Sequence, residues 1–116
     1  MHNKPTHRSF EALDVSLLAI ETLRPVVAKI RRSDRDLGEQ IRRALSSVGL
    51  NLAEGNSSDG GNRIARFSTA AGSNSEARAA LRVAEAWGFV DRADVAAGEA
   101  LLDRVAAMLH RLGARR

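Results

Sequence analysis

The stretch DLGEQIRRALSSVGLNLAEG, Asp36 to Gly55, decides the fold. Within it Leu37, Ile41, Leu45, Val48 and Leu52 recur at steps of three and four, the spacing that lines one face of an α-helix. Asp36 with Glu39 three residues on offers a capping-box start. Gly55, just past the last apolar position, offers a left-handed C-cap.

Outward from this helix the same period continues. Toward the N-terminus, Leu13, Leu17, Ile20, Leu23, Val27 and Ile30 form a stripe that begins after Phe10 and runs straight through Pro25. A kink at Pro25, rather than a break, is therefore expected. Val15, Leu18 and Val26 make a second apolar edge on the same helix, and Met1 to Ser9 have no period and read as a flexible arm. Toward the C-terminus, Asn56 to Gly61 is a polar loop, and Asn62 is placed to cap a helix from about Arg63 to Trp87. Its inward positions read Ile64, Phe67, Ala71, Asn74, Ala77 or Arg78, Leu81 and Ala84, with Gly88 as the stop. Asp91 with Asp94 opens a fourth helix, carried by Val95, Leu102, Val105, Leu109 and Leu112. No β-branched alternation appears. Four helices with short connections predict an all-α fold, an antiparallel up-and-down four-helix bundle over residues 10–116 behind an arm of residues 1–9.

Composition bounds what such a bundle can do. With 44% hydrophobic and 28% charged residues the chain is not a disordered one, and 3% aromatics leaves an aliphatic core. A core of small side chains in 116 residues is thin, which favours self-association. Eighteen Lys+Arg against fourteen Asp+Glu gives a net charge of +4, almost all of it from arginine, since the only lysines are Lys4 and Lys29. There is no cysteine, secretory leader or membrane-length apolar run, so a soluble cytoplasmic protein is expected.

Catalytic chemistry finds little support. A di-iron bundle needs a Glu-x-x-His motif on each of two helices, whereas His110 follows Ala107 and the other histidines are the isolated His2 and His7. No histidine lies near Ser46, Ser47 or Ser73, and the loop from Gly55 to Gly61 lacks the Lys-Ser/Thr ending of a phosphate-binding loop. A protein without enzymatic activity, metal or other cofactor is expected. Arg31, Arg32 and Arg35 instead cluster at the first turn, with Arg42 and Arg43 following on the second helix. The guanidinium fork pairs two phosphate oxygens, so these five are the candidate nucleic-acid contacts. Aromatics are limited to Phe10, Phe67, Trp87 and Phe89, which favours backbone contacts to structured RNA over base stacking. The competing reading is an oligomeric scaffold for a protein partner.

Folding the second and third helices back on each other places Gly49 against Ala70, Ser47 near Gly72, Arg43 near Glu76, and Asn51 and Glu54 near Arg66 and Arg63. Small residues would then meet in a tight seam.

Gln40 to Gly55, QIRRALSSVGLNLAEG, followed by Arg66 to Ala84, RFSTAAGSNSEARAALRVA, resembles the "four helix bundle protein" family. That family includes the proteins encoded in 23S rRNA intervening sequences and is related to the accessory variability determinant of diversity-generating retroelements. Arg42, Arg43, Ser47, Asn51, Ala53, Glu54, Gly55, Arg66, Phe67, Gly72, Ser73 and Glu76 match its pattern. Of these, Ser47, Asn51, Glu54, Gly55, Arg66, Phe67, Gly72, Ser73 and Glu76 are expected to be structural. Ala71 stands where the family often has a basic residue, and Gly49 where it often has proline. The resemblance implies a bundle that assembles as a ring, a homopentamer. The retroelement branch further implies a basic barrel that binds RNA or DNA and a reverse transcriptase.

Overall fold

Connections of a few residues join α1 (His7–Ser33), α2 (Arg35–Asn56), α3 (Gly60–Trp87) and α4 (Arg92–Arg111). The structure, a computed structural model, describes residues 7–115, with side chains from 11 to 115. On α1 and α2, Arg31 packs on Gly38 and Ser16 on Gly49. Between α2 and α3, Ser47 meets Ser73 and Glu54 meets Arg66. Between α3 and α4, Arg78 meets Asp103 and Glu85 meets Arg92. Finally α4 returns to α1, where Lys29 meets Asp94 and Leu23 covers Gly98. In every pair one residue number rises as the other falls, so neighbouring helices run antiparallel and close into a four-helix bundle.

Two apolar clusters fill it from end to end. Leu23, Ile30, Ile41, Leu81 and Leu102 lie toward the α1–α2 turn. Val48, Leu52, Phe67, Val105 and Leu109 lie toward the other end. Leu101 packs against both clusters.

The N-terminal half of helix α1 is rotated from its expected orientation, whereas Leu23, Val27 and Ile30 are buried as expected. Its buried residues are Ala12, Val15, Ser16, Ala19, Leu23, Val26, Val27 and Ile30, while Leu17 and Leu18 are 44% and 46% exposed. Leu13 and Ile20 are half-buried. Both stripes have helical spacing, and the one with smaller side chains goes inward because α1 is wedged between α2 and α4. Val15 and Val26, expected on an outer edge, are therefore core. The helix is continuous through Pro25. It begins at His7, so residues 7–9 belong to it, and residues 1–6 of the expected arm lie outside the described residues.

The caps also differ. Asp34, with extended backbone, is the N-cap of α2, and its Oδ1 accepts a hydrogen bond from the Leu37 amide at 3.0 Å. Asp36 falls in the first turn instead. Gly55 is inside α2 rather than left-handed beyond it, and a Cβ there would lie 2.5 Å from Phe67 Cε1. Its glycine makes room for a ring. Helix α3 starts before Asn62, at Gly60 with Asp59 as N-cap residue, and Asn62 donates to Ser58 Oγ at 3.0 Å. Gly88 ends α3 with φ +82, as the sequence predicts.

Asp91 and Asp94 form a reciprocal capping box at the start of α4, each carboxylate accepting from the other's amide at 3.0 Å. The Asp91 backbone hydrogen bond, and then Lys29, hold the Asp94 carboxyl below the usual aspartate range. A carboxyl depressed in the folded state stabilises above its unfolded value, and that contribution is lost as pH falls through the folded value. Asp94→Asn is accordingly expected to be less stable than the parent at neutral pH. The gap should close as pH drops below the ordinary aspartate value of about 4. Thermal melts from neutral to acid pH check this; a gap that is constant with pH would contradict it.

Candidate nucleic-acid interface

The α1–α2 corner is built by Asp34, whose cap forces a near-immediate reversal after Ser33. Arg31 and Arg32 occupy the last turn of α1, where the helix dipole favours positive charge. Gly38 lets the aliphatic stem of Arg31 lie across α2, because any Cβ at Gly38 would collide with the Arg31 side chain. From there Arg31 Nη2 reaches Glu39 Oε2 at 3.2 Å, and Arg42 Nε donates to Glu39 Oε1 at 2.9 Å. That Arg42 hydrogen bond, with the nearby charges of Arg42, Arg31 and Arg43, holds the Glu39 carboxyl below the usual range. One carboxylate thus organises two guanidinium groups and leaves a surplus of positive charge.

Two adjoining hollows share Arg31. One, of about 280 Å³, has an apolar floor of Ile20, Val27, Ala28 and Leu45 and is edged by Arg24, Arg31 and Arg42. The other is lined by Ala28, Arg31, Arg32 and Arg35. Among the described residues Arg24, Arg32, Arg35 and Arg43 have no ion partner, as is also true of Arg63, Arg82, Arg104, Arg111 and Arg115, whereas Arg66, Arg78 and Arg92 are each engaged by carboxylates. Four of the candidate contacts, Arg31, Arg32, Arg35 and Arg42, are therefore brought together; Arg43 is exposed but lines neither hollow. Arg24 joins them. Its separation of seven from Arg31, two helical turns, is the sequence signal that finds it.

The motif residues gather between α2 and α3, one step out of the expected register. Ser47 and Ser73 share a hydroxyl–hydroxyl bond of 2.7 Å, and Asn51 Nδ2 donates to the Ser47 carbonyl at 2.9 Å and to its hydroxyl at 3.1 Å. Glu54 pairs with Arg66 at 3.2 Å on the surface. Arg63 lies over the Phe67 ring, 4.9 Å from its centroid, and donates to the Gly55 carbonyl. The expected meeting of Gly49 and Ala70 does not occur, because Gly49 faces Ser16, Leu13 and Leu17 of α1. Gly72 borders open space, so it makes no tight seam. Arg43 and Glu76 form no ion pair among the described residues, both being directed to solvent.

Of the aromatic residues, Phe67 is buried, and Trp87 is 70% exposed and stacked on Phe89 with ring centroids 6.2 Å apart. The side chains of Phe10, His2 and His7 lie outside the described residues, as do Met1 and Lys4. His110 is exposed. Among the described residues no three His, Asp or Glu side chains gather as a metal site would require, and no helix is long and apolar enough to cross a membrane.

The sequence profile of the 23S rRNA-intervening sequence protein family matches residues 12–111. The chain belongs to that family. The match takes in all of α2, α3 and α4 and all but the first five residues of α1, so both the arginine corner and the motif seam lie inside the family domain. Neither a curated protein nor a solved structure matches the chain.

Proposed function

We propose that this family member is a non-enzymatic, cytoplasmic protein that assembles with itself and binds the phosphate backbone of structured RNA through its α1–α2 corner. The observation that carries the reading is the shared pair of hollows edged by Arg24, Arg31, Arg32, Arg35 and Arg42. Arg24, Arg32 and Arg35, which have no carboxylate partner among the described residues, offer their donors to phosphate oxygens beside Arg31 and Arg42, which share Glu39. The family's association with 23S rRNA intervening sequences fits an RNA partner. A ring of five, and a reverse transcriptase as a further partner, are what the family resemblance implies; a ring repeats each modest patch and gains by avidity.

Titration of structured RNA at two salt concentrations tests the reading. Arg32→Glu combined with Arg35→Glu is expected to weaken binding about tenfold or more and to reduce the salt dependence by about one to two released ions. The loss should be the same for all sequences tested. Arg104→Glu with Arg111→Glu on α4 changes net charge equally and is expected to retain the salt dependence. Absence of binding at low salt by the assembled parent, or equal loss in both variants, overturns the proposal. Exposed Leu17, Leu18 and Leu50 favour the second reading, an oligomeric scaffold for a protein partner, which then takes the lead.

A further inference from the structure

Between Glu11 and Ser33 of α1, every acid (Glu11, Asp14, Glu21) precedes every base (Arg24, Lys29, Arg31, Arg32). Among the described residues Glu11, Asp14, Glu21 and Arg24 have no ion partner, while Lys29 and Arg31 pair with Asp94 and Glu39. The helix dipole explains Arg31 and Arg32 in the last turn, but its influence fades within one turn and cannot explain a change of sign between Glu21 and Arg24.

A second pattern coincides with the first. Asp14, Leu17, Glu21, Arg24, Ala28 and Arg31 are all exposed and follow at alternating steps of three and four, the spacing of a helix–helix seam. Reversed, this seam is its own complement. Arg31 falls opposite Asp14, Ala28 opposite Leu17, and Arg24 opposite Glu21. In each layer an acid meets a base or a large aliphatic side chain meets a small one.

We infer that the outer face of α1 docks on the same face of a second copy, antiparallel, about a two-fold axis between residues 22 and 23. Such a contact is isologous, so each residue pair occurs twice. Charge complementarity selects the occupant: a foreign helix of one sign is repelled by one half of the seam, whereas a reversed copy is attracted by both. Leu17, in the layer on either side of the central Glu21–Arg24 pairs, and Leu18 flanking it supply the exposed apolar area. The contact closes on two chains; it draws Arg24, Ala28 and Arg31 into the seam and leaves Arg32, Arg35 and Arg42 for the RNA reading, on which it does not rest.

The absence of cysteine makes the test clean. Leu17→Cys and Ala28→Cys chains are purified separately, mixed, and treated with a thiol cross-linker spanning about one helical turn. The mixture is expected to give a covalent dimer. Leu17→Cys alone is expected to give little, because its two copies lie about 16 Å apart in this register. Adding Asp14→Arg and Glu21→Arg to both chains should reduce the cross-linked product about tenfold or more. Adding Arg24→Glu and Arg31→Glu as well inverts the whole seam and should restore it. Efficient cross-linking by Leu17→Cys alone, product unaffected by the first charge reversal, or failure of the full inversion to restore it would each overturn the inference. Circular dichroism confirms that the compared chains are folded.

Discussion

Phe67→Ala is expected to lower the free energy of unfolding by about 3–5 kcal/mol, measured by urea denaturation. The ring is 1% exposed and joins α2 to α3, α4 and α1 within one of the two core clusters. It also has an unusual seat. A Cβ at Gly55 would lie 2.5 Å from Cε1 and 2.7 Å from Cδ1 of the ring, so the ring rests on helix backbone. Truncation leaves a cavity beneath α2 and removes the face on which Arg63 lies. For a small bundle with about 5–15 kcal/mol in total, that is a large fraction of its stability. Gly55→Ala tests the same contact from the other side. In the parent, overpacking should cost about 1–3 kcal/mol, more than the gain of about 1 kcal/mol from helix propensity. In the Phe67→Ala background the space is free, and Gly55→Ala should become stabilising. A Phe67→Ala loss below about 1 kcal/mol, or the same Gly55→Ala effect in both backgrounds, would show that the ring does not wedge the two helices.

This pair also marks where sequence reading stops. Gly55 followed by a polar loop has the signature of a left-handed C-cap, and only the packing of Phe67, twelve residues on, shows that the glycine serves a side chain. The four helices themselves were legible because their period is local. Gly88 and the Asp91–Asp94 box were legible too, because a cap depends on residues within one turn of it. The burial of α1 was less legible because Ala12, Val15 and Ala19 compete with Leu13, Leu17 and Ile20 at the same spacing. Choosing between them requires the two helices that flank α1, and larger side chains mislead when neighbours approach closely.

The candidate site divides in the same way. The arginine cluster could be read because Arg31, Arg32 and Arg35 are adjacent along the chain and Arg42 lies two turns into α2. What brings them together could not. Gly38 admits the stem of Arg31, and Glu39 ties Arg31 to Arg42; both are ordinary helix residues until α1 is laid beside α2. The register between α2 and α3 was close enough to pair Glu54 with Arg66, but a shift of one residue sets Ser47 against Ser73 instead of Gly72. One residue turns a helix face by about 100°, and Gly49 looks at α1 instead.

The contact of Leu23 with Gly98 is another place where a glycine receives a side chain, and it closes the bundle from α4 onto α1. Leu23 is fully buried, and a Cβ at Gly98 would collide with its Cγ and Cδ2 and lie 2.8 Å from Cδ1. Leu23→Ala is expected to cost about 2–5 kcal/mol. Gly98→Ala alone sets an overpacking cost of about 1–3 kcal/mol against about 1 kcal/mol of helix propensity, so its net effect is a modest loss. Combined, the two substitutions are not additive: the methyl at position 98 occupies part of the volume that Leu23 vacates, and the propensity gain remains. The double variant should thus be more stable than Leu23→Ala alone, with a coupling of about 1–3 kcal/mol across the cycle. Denaturant midpoints for the four proteins measure it. Simple additivity would mean that α4 shifts along α1 to accommodate either change, and that the close approach at Gly98 is not what sets the distance between these helices.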